Sequence, residues 1–171
     1  MPFAFTHLIG AWIAGKLFEW KGRKLTKIEW ALLLGGGILP DFDFIVHWTT
    51  NIEAHRYLTH SLFFAAIISL LVLILASLLK KKWPFFNTKS YAIAIFCGIL
   101  IHLLLDMFNS VGIPLLWPYP MYISYFGTAI SYVSTAMNVE AYQALFREAI
   151  FDASLGVLWV GYFVIRDKIK F

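Results

Sequence analysis

Residues 61–79, Ser61 to Leu79, are nineteen consecutive positions without a formal charge, closed by Lys80, Lys81 and Lys82. A helix of that length matches the hydrocarbon core of a bilayer, and the lysines read as a stop at the interface. The rest of the chain agrees with a membrane setting. Of its 171 residues 60% are hydrophobic and only 14% charged, and its mean hydropathy is +0.73, well outside the soluble globular range.

Further apolar segments accompany this span. Phe3 to Leu17 is apolar apart from Thr6, His7 and Lys16. Lys27 to Leu39 follows a capping-box pattern, Thr26 with Glu29, and stops before Pro40. Tyr91 to Leu105 carries His102, and Ala149 to Ile165 carries Asp152 near its start. The expected fold is all-α, an integral membrane bundle of about five embedded helices forming one domain over residues 1–171. The shorter segments call for tilting, local thinning or burial against neighbours. The start of the chain lacks the basic region of a cleaved signal peptide. Cys97, the single cysteine, excludes an internal disulfide.

Charge orients the bundle. If five helices alternate with the N-terminus outside, twelve of the fourteen basic residues fall on the inside and only Arg56 and Arg147 outside. That asymmetry is the positive-inside pattern, so the basic loops are expected in the cytoplasm of a prokaryotic cell. The net charge of +4 comes from residues at span ends, which suits contact with anionic membrane lipid; no nucleic-acid partner is expected.

The same alternation gathers His7, Asp41, Asp43, His55, His60, His102 and Asp106 at the opposite, extracytoplasmic face. Ionisable groups at membrane depth are costly and call for a function. Imidazoles mixed with carboxylates are also what a zinc-like ion requires. His102 and Asp106 stand at i, i+4, on one face of a helix. Asp41 and Asp43 follow Pro40 and would share a side if that stretch is extended. His55 and His60 flank Arg56 directly before the best span, where Thr59 or Ser61 would cap the helix.

Each motif also has a simpler reading: a capped helix end, solvated turn acids, interfacial histidines, or an ion pair of Arg56 with Glu53. His47, among apolar neighbours, reads as packed and not as a ligand. Glu148 and Asp152 can complete the site or merely favour a helix N-terminus. Around residues 111–138, Pro114, Pro118 and Pro120 alternate with Trp117, Tyr119, Tyr122, Tyr125 and Tyr132. This is an interfacial segment that either covers the site, admits an amphiphile, or anchors the chain.

On Thr6-His7, L-P-D-F-D at 39–43, H-R-Y-L-T-H-S at 55–61, H-L-L-L-D at 102–106 and L-L-W-P at 115–118, the chain resembles the membrane-bound, metal-dependent hydrolases. That family is also described as LexA-binding, inner-membrane-associated hydrolases. The pattern is distantly similar to zinc-dependent phospholipases C, which also use an Asp, a His about fourteen residues on, and an HxxxD pair. The resemblance implies a first metal site of Asp41, His55, His102 and Asp106, with His7 or His60 helping a second ion.

The function so expected is hydrolysis of a phosphoester on a lipid-like or membrane-adjacent substrate. Its cofactor is a divalent metal, zinc first and manganese or iron next. Asp43 is the candidate base, and Arg56, with its planar fork, the candidate for stabilising developing negative charge. The alternative is a non-enzymatic membrane protein that uses the cluster for metal binding or an ion or proton relay. Partner binding, as the LexA label implies, finds nothing specific in the basic loops.

Overall fold

The computed structural model describes residues 4–50, 58–84, 86–108, 112–119, 121–125, 127–129 and 139–166. The five apolar segments are all helices: α1 (Ala4–Trp20), α2 (Lys27–Ile38), α4 (Leu62–Lys80), α5 (Thr88–Asp106) and α6 (Val139–Ile165). The last begins well before the expected Ala149. Three of them, α4, α5 and the Phe146–Ile165 part of α6, are long and apolar enough to cross a membrane. At ~1.5 Å per residue α4 is about 28 Å long, close to the bilayer core.

The stretch after Pro40, which would put Asp41 and Asp43 on one side if extended, is helical. Leu39–Phe42 is a 3-10 turn with Pro40 in its first positions, and it runs directly into α3 (Asp43–Thr50). Proline has no N–H to lose at a helix start, so Pro40 redirects the chain without unwinding it. A second 3-10 turn, Leu58–His60, leads into α4.

Helix α5 is the hub, with 44% of its span buried against 11% for α4 and for α6. Its contact with α2 depends on small residues. A Cβ on Gly98 would run into the Leu33 carbonyl, and one on Gly36 would lie 2.6 Å from the Ile95 carbonyl. The two backbones touch, as in small-residue packing between membrane helices. Gly36 and Gly37 are therefore packing positions in a continuous helix, Gly36 on α5 and Gly37 on α1. Ala65, Ile95, Ile99, Leu103 and Ile113 form one core cluster, and Ala11, Leu33 and Ala94 another. On the outside, α4 presents Leu70, Leu71, Ile74, Leu75 and Leu78. Such half-exposed apolar faces suit lipid.

The helices run alternately. At one end the capping box is complete: the Glu29 amide donates to Thr26 Oγ1 at 3.2 Å, and the Thr26 amide to Glu29 Oε2 at 2.7 Å. Arg23 Nη2 donates to Glu29 Oε1 at 2.8 Å and to Ser90 Oγ at 2.7 Å, tying the first loop to the start of α5. The opposite end holds the start of α1, the end of α2, the start of α4 and the end of α5. The segment after α5 is fastened there too: the Leu62 amide donates to the Leu115 carbonyl at 3.0 Å. It contains a small antiparallel ribbon, β1 (Tyr122–Ser124) with β2 (Gly127–Ala129), in register Tyr122↔Ala129. Ile113 pairs with Ile123 beside it. Gly112, with φ +75°, makes that approach possible, because a Cβ would lie 2.7 Å from the Ile123 carbonyl.

Candidate metal centre

His60 and His102 form the middle of the site. Ser61 caps α4, accepting from the Phe64 amide at 3.1 Å, so the preceding turn holds His60 against the bundle. The Nε2 atoms of His60 and His102 lie 3.3 Å apart. Around them, His60 Nε2 is 3.2 Å from Asp106 Oδ2 and 3.6 Å from Asp41 Oδ1. His102 Nε2 is 3.5 Å from Asp106 Oδ2 and 3.6 Å from Asp41 Oδ1. One donor atom from each of Asp41, His60, His102 and Asp106 lies within 4.8 Å of all the others.

The second nitrogen of each ring is held from behind. His102 Nδ1 is 2.8 Å from the Gly37 carbonyl, an acceptor only, so Nδ1 carries the hydrogen in this hydrogen bond. His60 Nδ1 lies 3.0 Å from Thr59 Oγ1 and 3.4 Å from Asp43 Oδ2, and Thr59 Oγ1 donates to the same Asp43 oxygen at 2.6 Å. Asp41 and Asp43 thus bracket the two sides of His60 and do not share a side, because the chain here turns helically. Metal-binding histidines are oriented in this way by carbonyls and carboxylates behind them.

Burial and charge fit a cation at the inner edge of these rings. His60 and His102 are fully buried, and Asp106 is 2% exposed. Asp106 Oδ2 has no hydrogen-bond partner among the described residues. Two imidazole lone pairs meeting at this distance repel unless a proton or an ion lies between them. Burial alone would lower the pKa of His60, but Asp106, Asp41 and Asp43 outweigh it and push it up to about 10. The three carboxylates thus favour the protonated form of this ring. Two nitrogens and two carboxylate oxygens make up a donor set of the kind zinc accepts.

His7 stands beside this group. Its ring lies 3.9 Å from that of His102, centroid to centroid, and its Nε2 is 3.4 Å from Asp106 Oδ1. Asp106 thus faces His7 with one oxygen and the two central histidines with the other. Asp41, with its side chain 24% exposed, is the member of the group of four that reaches the surface.

His55 and Arg56 lie outside the described residues, as does the His47 side chain. Among the described residues, the histidine that joins Asp41, His102 and Asp106 is His60, nineteen residues after Asp41. Asp43 is engaged behind His60, which suits orienting the ring more than taking a proton from water. Glu148 is exposed on α6, while Asp152 is buried and binds the start of α1. Sequence reasoning missed the Gly37 carbonyl, since a backbone acceptor leaves no mark on residue type. It also missed Thr59 as a link to Asp43, having read it as a cap.

No curated protein and no solved structure matches the chain. Residues 1–168 match the family described as YdjM inner membrane protein, a description that gives a location and names no activity. With that match over almost its whole length and three helices fit to cross a bilayer, the chain belongs to the YdjM inner membrane protein family.

Proposed function

We propose that this protein is a membrane-embedded, metal-dependent hydrolase that cleaves a phosphoester of a lipid-like or membrane-adjacent substrate. The observation that carries the proposal is the convergence of Asp41, His60, His102 and Asp106 on one point, with both rings fixed from behind. A divalent ion held there, zinc first and manganese or iron next, supplies Lewis acidity to polarise a phosphoryl oxygen and acidify water. His60 and His102 present Nε2, and the Gly37 carbonyl, Asp43 and Thr59 keep the rings in place. Asp106 and Asp41 offset the ion's charge.

Asp41 is the carboxylate open to an incoming substrate. The residues after it on the surface are apolar, Phe42 at 54% and Ile45 at 50% exposed, which suits an amphiphile whose head reaches Asp41. Arg56 keeps its proposed role toward a phosphoryl oxygen on its chemistry and its place just before His60. The proposal puts this end of the bundle outside the cytoplasm, on the strength of the basic residues at the other end.

A second reading rests on a different observation. His7, His60 and His102 are all fully buried, an enclosure that also suits a structural metal or an ion relay. One experiment separates the two. Metal content is measured by elemental mass spectrometry on detergent-purified wild type and His102→Ala, and both are then assayed on phospholipid and soluble phosphoesters. The expected result is a near-stoichiometric transition metal in wild type, lost in the variant together with turnover. Metal without turnover supports the structural or relay reading. Wild type that stays metal-free after reconstitution removes the hydrolase mechanism.

A further inference from the structure

Asp152 is a carboxylate within the membrane-length part of α6 and is only 4% exposed. An ionised group at such depth needs a partner or a task. Among the described residues, its hydrogen-bond partners all belong to the first turn of α1. Oδ1 accepts from the Thr6 amide at 2.7 Å and from the Thr6 hydroxyl at 2.6 Å, while Oδ2 accepts from the Phe5 amide at 3.1 Å. These amides are among those a helix start leaves unsatisfied, and the positive end of the helix dipole favours an anion there. Both oxygens of one side chain thus grip two successive residues of another helix.

The next residue is His7. It is fully buried against His102 and Asp106, yet neither ring nitrogen has a hydrogen-bond partner among the described residues. His60 and His102 each have a ring nitrogen held from behind; His7 does not, so its placement depends on its backbone. That backbone is held on one side by Gly37 of α2, where a Cβ would lie 3.2 Å from the His7 carbonyl, and on the other by α6. Phe5 packs so closely on Gly156 that a Cβ there would lie 2.6 Å from the ring, and Trp12 meets Trp159 and Phe163 edge-on further along.

We infer that Asp152 is a positioning residue for the metal centre. By clamping the amides of Phe5 and Thr6 it sets His7 against Asp106, and so brings α6 into the site without touching the ion. The inference rests on the metal-binding reading of the cluster.

A double-mutant cycle tests it. Zinc affinity is measured by chelator competition on the full chain in detergent for wild type, Asp152→Asn, His7→Ala and the double variant. Asn keeps the size but loses the charge and one acceptor. The expected result is a loss of about tenfold for Asp152→Asn, in line with changes to groups that orient metal ligands. His7→Ala should lose at least as much, and the double variant no more than His7→Ala alone. Thr6→Val, which removes only the hydroxyl branch, serves if Asp152→Asn does not fold. It should weaken zinc binding in wild type and not in the His7→Ala background.

Unchanged affinity in Asp152→Asn, or in His7→Ala, overturns the inference. So does a loss that persists in the His7→Ala background, since Asp152 would then act on the fold at large. Wild type that binds no zinc brings down the metal reading itself, and this inference with it.

Discussion

His60 sits between three carboxylates, and this governs how protons and metal ions compete for it. Burial disfavours its charged form, but Asp106, Asp41 and Asp43 prevail and raise its pKa from the ordinary 6.5 to about 10. A raised folded-state pKa stabilises the metal-free protein fully below 6.5, and the contribution is lost as pH rises through about 10. Metal affinity moves in the opposite direction, because the ion needs the Nε2 lone pair that the proton occupies. Zinc affinity is expected to rise with pH across the neutral range, by up to about tenfold per unit for one displaced proton. Chelator competition at several pH values measures it, and a flat profile would remove His60 from the ligand set.

At the scale of elements, the contact between α2 and α5 positions the rings. Gly36 faces α5 with the Ile95 carbonyl 2.6 Å from where a Cβ would sit, whereas nothing lies within 4 Å of the same position on Gly35. Backbone cannot move aside as a side chain can. Gly36→Ala is therefore expected to destabilise the protein by roughly 1–3 kcal/mol through overpacking. It should also weaken metal binding, since the neighbouring Gly37 carbonyl holds His102. Gly35→Ala, one residue away, is expected to be neutral or to stabilise by up to about 1 kcal/mol, because alanine loses less freedom in a helix. Thermal melts in detergent distinguish the pair, and equal effects would contradict the packing.

At the scale of the whole molecule, the two ends differ in charge and in chemistry. The Arg23–Glu29–Ser90 junction and the lysines after α4 lie at one end, the histidines and aspartates at the other. In a Cys97→Ser background, single cysteines replacing Lys82 and Tyr119 report on these ends. A membrane-impermeant maleimide applied to intact cells is expected to label position 119 and spare position 82, with the reverse in inverted vesicles. Labelling of both from one side would overturn the alternation.

The helical membrane architecture was legible in the sequence, because span length, apolarity and flanking charge are properties of short stretches. So were the capping box of Thr26 and Glu29, the cap at Ser61, and the gathering of polar residues at one end, which follows from alternation alone. Local pattern did not predict α3, since Pro40 breaks a helix in mid-course but begins one without cost.

The composition of the site was decided by tertiary structure. Spacing could not show that the turn before α4 brings His60 to His102. The helical turn at 39–42 placed Asp43 behind His60, a position that spacing alone did not show. Asp152 meets Thr6 across 146 residues of sequence. Which side chains face one another depends on the rotation and depth of each helix. Those are set by contacts such as Gly36 on Gly98 and Phe5 on Gly156, between residues far apart in the chain.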